Sequence, residues 1–374
     1  MRQYYSLCLV AVVFMMVLVA LAGPSMLADS KASDPKGPAV TIPNQGVDDN
    51  YGASGGNVDD ISRRFCCSGT LGSLVTDGKT DYILSNNHVL ADSDQGHAGD
   101  AISQPGLVDV GCVASNARTV ATLTAWPALG SNVDAGLAQL TGFMNTTGSI
   151  EGIGIPSSVA RTPAVGLSVQ KSGRTTGVTT GTVQSINTSV NVKYTTTCGG
   201  HKGFVISYTN QVVVTPGSFS AGGDSGSLIV TSGSACPQPV ALLFAGSSAT
   251  TVGNPIGEVL SKAGTALGSS ISFTGPACGT ATAAQPQADS SANQTPQISE
   301  MAVAGATAAM RLREREIMAR PGVLGIGVGV SAVSSTEAAI KVYVDELLGS
   351  STRLPRRING VRVERIITDA FVAY

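Results

Sequence analysis

The segment Gly222-Gly-Asp-Ser225-Gly-Ser-Leu-Ile229 places a serine between glycines, directly before an apolar run. Glycine tolerates the positive φ of tight turns, and the run Ser227–Val230 has the length and composition of a short strand. A tight turn before a strand holds its serine hydroxyl in a fixed position. In a chain rich in glycine and serine most such turns are structural, so the segment becomes informative only together with other residues.

Two further segments carry the groups that activate such a serine. Leu84-Ser-Asn-Asn-His88-Val-Leu90 ends an apolar strand on a histidine, and Asn132-Val-Asp134-Ala-Gly-Leu-Ala138 begins another strand with a carboxylate. A serine hydroxyl is a weak nucleophile, so acyl transfer needs an imidazole that accepts its proton and a buried carboxylate that orients the imidazole. Alone, His88 is more simply read as structural and Asp134 as a surface carboxylate; together with Ser225 they predict a catalytic triad.

The glycines at the serine predict a second element of acyl-transfer chemistry. Gly223 allows the backbone to turn so that the amide groups of Gly223 and Ser225 point at one position. Two such donors would form an oxyanion hole, in which the loss of one donor typically costs roughly 10²–10³ in rate.

The composition favours a mainly β protein. The chain has 45 glycines in 374 residues, only 13% charged residues and a net charge of −2. This lack of basic excess argues against nucleic acid as the main partner. Short apolar runs separated by turn residues predict an antiparallel barrel or sandwich with no sustained helical period. The predicted strands lie at 69–75, 82–85, 119–124, 136–140, 167–171, 181–186, 204–214, 227–230 and 240–245.

In residue order and in the Gly-Asp-Ser-Gly sequence, the chain resembles the chymotrypsin-like serine proteases over roughly residues 60–275. Lys171-Ser-Gly-Arg-Thr-Thr-Gly-Val178 is similar to the secreted bacterial branch of the α-lytic protease and streptogrisin type. Other stretches look like the plant narrow-leaf trypsin-like group. The resemblance implies two six-stranded antiparallel β-barrels, with His88 and Asp134 on the first and Ser225 on the second.

The resemblance also raises the question of what neutralises Asp224. In animal members of the family the matching carboxylate pairs with an N-terminal amine released on activation, and no Ile-Val-Gly-Gly-type start precedes the first barrel here. Lys171 or Arg174 is therefore predicted as the structural ion-pair partner, because an unpaired buried carboxylate is costly. Partial solvation of Asp224 is the alternative.

Substrate contacts are predicted at two places. Phe219 stands six positions before Ser225, where family members with a basic preference carry an acid, and Ser218–Gly223 contains no charge. We therefore expect a preference for uncharged residues. Phe244, Ala245 and Gly246 resemble the strand on which the family binds substrate backbone by β-pairing.

The domain prediction rests on shifts in composition. We predict a signal peptide at 1–22, a flexible N-terminal arm at 23–60, a trypsin-like domain at 61–276, a linker at 277–297 and a small α+β C-terminal domain at 298–374. The C-terminal domain is predicted as a helix at 300–320 and strands at 323–330, 339–344 and 361–368, with a turn at Asn359-Gly360. It carries ten basic against eight acidic residues whereas the preceding part is net negative, so the two could dock on each other. A folding aid, an inhibitory lid and a binding module remain open as its role.

The N-terminus and the cysteines predict export. Leu7–Ala22 is an apolar run of 16 residues ending in a small-x-small site, shorter than the ~20 residues of a spanning helix. We expect a secreted protein without stable membrane association after cleavage; an uncleaved anchor is the alternative. Six cysteines remain beyond Cys8 and suggest up to three disulfides, in which the neighbours Cys66 and Cys67 take different partners.

The function predicted from these features is that of a secreted serine endopeptidase that acts on polypeptide substrates. No C-x-x-C pair occurs, and we expect neither a metal nor a cofactor. The alternative is a trypsin-like binding or scaffold protein that keeps the barrels and has lost turnover.

Overall fold

The computed structural model describes residues 32–35, 49–63, 65–200, 202–278, 298–349 and 351–374. The predicted signal peptide and most of the predicted linker lie outside these ranges. Within them, no helix is both long and apolar enough to cross a membrane.

The first sheet is built from short antiparallel strands separated by turns, as the glycine-rich sequence predicts. A one-turn helix, α1 (Asn87–Leu90), follows its fifth strand. The strands are β1 (Ala32–Pro35), β2 (Ala53–Asn57), β3 (Phe65–Leu71), β4 (Ser73–Thr76), β5 (Asp81–Ser85), β6 (Ala101–Gln104), β7 (Arg118–Ala125) and β8 (Gly136–Leu140).

A bend at Gly72 closes this sheet into a barrel. The strands β3 and β4 are separated by Gly72 alone, yet β3 pairs with β2 near one end of the sheet and β4 pairs with β5 near the other. One bent strand therefore joins both ends, and the barrel has the six predicted strands when β3 and β4 are taken together. A Cβ atom at position 72 would lie 2.0 Å from the carbonyl oxygen of Gly226, so glycine is required for this close approach.

The barrel begins earlier than the composition predicts. β2 lies inside the predicted N-terminal arm of residues 23–60, and all five of its residues are buried between β3 and β6. Tyr51, just before it, is also fully buried in the barrel core. The residues of β2 are small or polar, so no apolar pattern marks the strand in the sequence. The prediction of a flexible arm is therefore wrong from Tyr51 onward.

The second barrel contains six strands and is closed. Its strands are β9 (Ser168–Gly173), β10 (Gly177–Thr195), β11 (Gly203–Thr215), β12 (Leu228–Thr231), β13 (Pro239–Gly246) and β14 (Thr251–Pro255). They follow the order β11-β14-β13-β12-β9-β10, and the pairing of β10 with β11 completes the circle. The hairpin of β10 and β11 is longer than the barrel strands need to be and projects beyond it.

The prediction that no helical period is sustained in the barrel region is wrong after β14. Helix α2 (Ile256–Leu267) follows β14, and a short strand, β15 (Ser272–Phe273), then pairs with β4. Ile256, Val259 and Ala263 have helical spacing and pack into the core of the first barrel. Glycine, serine and threonine between them weaken the pattern, which is why the sequence does not reveal it.

The C-terminal part is an α+β unit that extends the second sheet. It consists of α3 (Glu300–Met318), β16 (Val323–Ser331), β17 (Ser334–Asp345), β18 (Arg357–Ile358), β19 (Val361–Thr368) and β20 (Phe371–Ala373). β16 pairs with the projecting part of β10, from Ser185 opposite Gly329 to Val190 opposite Gly325. The predicted fold class, mainly β with two barrels and a small C-terminal α+β part, is confirmed.

Within the described residues, three disulfides join segments that lie far apart in the sequence. Cys66 and Cys67 point to opposite sides of β3 and take different partners, as their adjacency predicts. The bonds join Cys66 to Cys112, Cys67 to Cys198 and Cys236 to Cys278.

Candidate active site

The predicted histidine and aspartate lie in contact on the first barrel. His88 lies in α1, at the end of β5, and Asp134 immediately precedes β8, which pairs with β5. Nδ1 of His88 lies 2.5 Å from Oδ2 of Asp134, and both side chains are fully buried. The main-chain N–H of His88 also donates to Oδ1 of Asp134, at 3.2 Å. Both carboxylate oxygens therefore orient this one histidine.

Three polar groups that the sequence analysis missed hold Asp134 in place. Tyr194, from the second barrel, donates its hydroxyl to Oδ2 of Asp134 at 2.9 Å. Asn254 accepts the Asp134 N–H at 2.9 Å, and Asn86 donates to the Asp134 carbonyl oxygen at 2.7 Å. Burial and the nearby carboxylate raise the pKa of Tyr194 well above its usual value, so its hydroxyl remains a donor. No local motif marks these residues, because they meet Asp134 only through the fold.

The Gly-Asp-Ser-Gly turn joins the two barrels at the same place. Gly223 and Gly226 have φ of +97° and +94°, which side chains rarely adopt. The turn is attached to β3 of the first barrel through Thr70, whose N–H donates to the Ser225 carbonyl oxygen at 2.8 Å and whose hydroxyl donates to the Gly223 carbonyl oxygen at 2.9 Å. The serine is thus carried by the second barrel and anchored to the first.

Two main-chain donors of this turn have no hydrogen-bond acceptor in the part of the chain that the structure describes. Among the described residues, neither the Gly223 N–H nor the Ser225 N–H makes a hydrogen bond, whereas the N–H groups of Asp224, Gly226 and Ser227 each bond to a carbonyl oxygen. The Ser225 hydroxyl donates to the Phe244 carbonyl oxygen at 3.2 Å. Gly223 and Ser225 are the donors that the sequence predicts for an oxyanion hole.

Of the two cations predicted as partners of Asp224, Lys171 is the one that pairs with it. Its Nζ lies 3.5 Å from Oδ2 of Asp224, and neither side chain has any exposed surface. The carboxylate also accepts hydrogen bonds from the N–H groups of Thr175 and Thr176 and from the Thr176 hydroxyl. Burial lowers the pKa of the Lys171 ammonium group, and the Asp224 carboxylate acts in the opposite direction. Asp224 is part of the serine turn, so its pairing with Lys171 helps to fix the shape of that turn.

Arg174, the other predicted cation, pairs elsewhere. Its guanidinium group donates to both carboxylate oxygens of buried Asp109, at 2.9 and 2.7 Å. The prediction for Arg174 is therefore wrong. The sequence could not decide between the two cations, because Asp109 lies in a distant loop whose position only the fold establishes.

Removal of the buried cation should destabilise the protein. We expect Lys171→Met to lower the free energy of unfolding by about 3–5 kcal/mol, because Asp224 would be left as an uncompensated buried charge. Urea denaturation measures this loss, with Lys262→Met in the exposed face of α2 as the matched control. The double variant Lys171→Met/Asp224→Asn should recover part of the loss. A single variant as stable as the Lys262→Met control would contradict this role.

The cleft between the barrels is occupied by residues 371–374, here called the tail. β20 pairs antiparallel with β13, with Val372 opposite Gly246 and Ala373 opposite Ala245, and parallel with β10. The N–H of Tyr374 donates to the Phe244 carbonyl oxygen at 3.3 Å. Its main-chain oxygen lies 2.8 Å from Nε2 of His88. The strand predicted for substrate backbone thus binds a segment of the same chain.

Phe219, predicted to contact substrate, lies in the core of the second barrel. Phe219 is fully buried and belongs with Tyr374 to one apolar cluster of the second barrel. Sequence analysis gave Tyr374 no role, since a single terminal tyrosine carries no recognisable signal. The structure therefore brings together His88, Asp134, Ser225, Phe219 and residues 244–246, and adds the tail.

Two antiparallel barrels with His88, Asp134 and the Ser225 turn at their junction form the fold of the chymotrypsin-like serine proteases. No protein-family model and no curated protein sequence matches the chain. Among solved structures, a glutamic acid-specific serine protease described as using a histidine triad in substrate binding is similar, with 23% identity and a TM-score of 0.41, over 60% of this chain and 98% of its own.

Two further structures show a similar level of likeness. Alpha-lytic protease homolog N4 has 19% identity and a TM-score of 0.39, with coverage of 60% of this chain and 97% of its own. Thermobifida fusca Protease A has 21% identity and a TM-score of 0.36, with coverage of 55% and 92%. Likeness at this level concerns the fold, so the function has to be derived from the side chains of the site.

Proposed function

We propose that the protein is an exported serine endopeptidase that hydrolyses peptide bonds through His88, Asp134 and Ser225. The observation that carries the proposal is the fully buried His88–Asp134 pair, with 2.5 Å between Nδ1 and Oδ2, beside the Ser225 turn. A buried carboxylate that binds Nδ1 leaves Nε2 as the proton acceptor, which is what activation of a serine requires.

The first half of the reaction is formation of an acyl-enzyme. Oγ of Ser225 attacks the substrate carbonyl carbon, and its proton passes to Nε2 of His88. Asp134 stabilises the resulting imidazolium through Nδ1, while the Gly223 and Ser225 N–H groups donate to the oxyanion. His88 then gives the proton to the leaving amine as the peptide bond breaks.

The second half releases the product. A water molecule gives its proton to His88 and attacks the acyl carbon, and collapse of this intermediate returns the proton to Oγ of Ser225. This step leaves a peptide with a new carboxylate and an enzyme with its Ser225 hydroxyl restored, so no cofactor is consumed. Tyr194 and Asn254 support the step by holding Asp134 in the orientation that keeps Nε2 directed at the cleft.

The contacts of Asp224 support oxyanion donors whose arrangement needs no chain terminus. Lys171 neutralises that carboxylate, and the Thr175 and Thr176 N–H groups complete its hydrogen bonds. We infer that shaping of the site does not depend on cleavage at the N-terminal side of the first barrel.

Export and the docking of the C-terminal domain belong to the same proposal. Three disulfides favour an oxidising compartment. The pairing of β16 with β10, and of β20 with β10 and β13, supports the C-terminal domain as a module that docks on the protease. In the docked position the tail occupies the cleft, so polypeptide substrates compete with the tail for binding there.

A fluorophosphonate probe tests the proposal. We expect one covalent label on Ser225, located by mass spectrometry, with no label on Ser225→Ala and an unchanged label on Ser261→Ala, a serine exposed on α2. Because the tail fills the cleft, the probe is offered both to the unaltered protein and to Tyr374→Gly. If neither is labelled, the protein is a binding or scaffold protein with the same fold and the endopeptidase proposal is wrong.

A further inference from the structure

The tail lies in the cleft in the register of the substrate residues that precede the bond to be cleaved. Tyr374 is opposite Phe244 on β13, and its main-chain oxygen lies beside His88 Nε2, at 2.8 Å. Ala373 and Val372 continue antiparallel along β13, as an extended peptide does when it adds to a sheet edge. The Tyr374 side chain therefore occupies the pocket that receives the residue before the cleaved bond.

This pocket fits an aromatic ring. The Tyr374 side chain belongs to the apolar cluster of the second barrel that also contains Phe219, and the residue is only 8% exposed. Gly246 provides the necessary space, since a Cβ atom there would lie 2.1 Å from the tyrosine hydroxyl. The hydroxyl donates to the Ser247 carbonyl oxygen at 3.4 Å, so its polar end keeps a partner. The pocket therefore accommodates both the apolar ring and the polar hydroxyl group of a tyrosine.

The same pocket is unsuited to charged side chains. Asp224 contributes a negative charge near the tyrosine hydroxyl, but Lys171 pairs with that charge inside the protein. A substrate glutamate would consequently be buried near two carboxylates without an ion-pair partner, and a lysine or arginine would find only Asp369, which already accepts hydrogen bonds from Ser248.

The positions before Tyr374 contribute less to recognition by the barrels. Ala373 is buried at the pairing with Ala245, so a small residue fits there. Phe371 packs against Tyr343 of β17, with 5.7 Å between ring centres, and lies in an apolar cluster shared by the second barrel and the C-terminal part, so part of its surroundings is not barrel. Selectivity should therefore concentrate on the residue that takes the place of Tyr374.

We infer that the substrates of this protease are polypeptides with tyrosine or phenylalanine directly before the cleaved bond, and that Gly246 and Phe219 determine this specificity. The inference rests on the proposed function. It makes the tail a substrate-like competitor whose own Tyr374 fills the pocket.

A series of chromogenic peptides tests the inference. The peptides are Phe-Val-Ala-X-p-nitroanilides with X as Tyr, Phe, Ala, Lys or Glu, and the full-length variant Tyr374→Gly is used so that the pocket is available. We expect kcat/KM for Tyr and Phe to exceed that for Lys and Glu by about 100-fold or more. A peptide with Ala, Lys or Glu as the best substrate would overturn the inference.

A pocket variant separates specificity from folding. Gly246→Ala in the same background should lower kcat/KM for the Tyr peptide about 100-fold relative to the change for the Ala peptide, because the new methyl group occupies the position of the hydroxyl. Gly257→Ala is the matched control, since nothing lies within 4 Å of its Cβ position in α2. Equal losses for both peptides would show that Gly246 does not select the aromatic ring.

Two different experimental outcomes distinguish a failure of the inference from a failure of the proposed function. Labelling of Ser225 by the fluorophosphonate probe without hydrolysis of the Tyr and Phe peptides overturns the substrate class alone. Absence of both labelling and hydrolysis overturns the endopeptidase itself, and with it the inference.

Discussion

Replacement of His88 by alanine is expected to lower kcat about 10⁶-fold on a tyrosine-containing peptide, the scale of loss when the base of a serine protease triad is removed. In the proposed mechanism His88 accepts the Ser225 proton, and both oxygens of Asp134 bind His88. Steady-state hydrolysis by the Tyr374→Gly protein and by the same protein with His88→Ala measures the effect.

The matched control for this prediction is His97→Ala. His97 is exposed. Its main-chain N–H donates to the Asp100 carboxylate and its carbonyl oxygen accepts the Asp100 N–H, so the His97 side chain should be dispensable. Because residues of a triad act as one unit, adding Ser225→Ala to His88→Ala should cause little further loss. A single-variant loss below tenfold, or losses that multiply in the double variant, would exclude a joint role for these residues.

Replacement of Asp134 by asparagine is expected to lower kcat about 10⁴-fold while the fold is retained. The carboxylate accepts a hydrogen bond from Nδ1–H of His88, which keeps that proton on Nδ1 and leaves Nε2 to act as the base once the tail has left the cleft. An amide can donate to Nδ1 instead, and the histidine then carries its proton on Nε2, where it cannot take one from Ser225. Peptide hydrolysis measures the loss and circular dichroism checks the fold.

Asp59→Asn provides the control for this second prediction. Asp59 has an exposed side chain, and its main-chain N–H bonds to Asn57 in a surface turn. The same change of charge there should alter kcat by less than about twofold, because surface substitutions rarely affect distant sites. A similar loss in both variants would point to net charge and exclude orientation of His88 as the cause.

Local features of the fold were predictable because they depend on neighbouring residues. The strands at 119–124 and 136–140 match β7 and β8 closely, since alternating apolar residues and flanking turns define a strand locally. The turn at Asn359-Gly360 is present with positive φ at both residues. Where composition misled, at β2 and α2, small and polar residues diluted the periodic pattern.

The candidate site was predictable only as a set of residues. His88, Asp134 and Ser225 are recognisable because each lies in a short motif with its own chemistry. Tyr194 and Asn254 carry no such motif, and they were missed because a buried polar partner is defined by its position beside Asp134.

By itself, the sequence determined the mainly β fold class and the set of residues for which acyl-transfer chemistry is proposed. Those properties follow from local pattern and side-chain type. Only the tertiary structure decided the cysteine pairs, the choice of Lys171 over Arg174 at Asp224, and the position of Tyr374 beside His88. The physical reason is that each is a contact between residues far apart in the chain, and such contacts depend on distances that exist only after both barrels and the C-terminal sheet have packed.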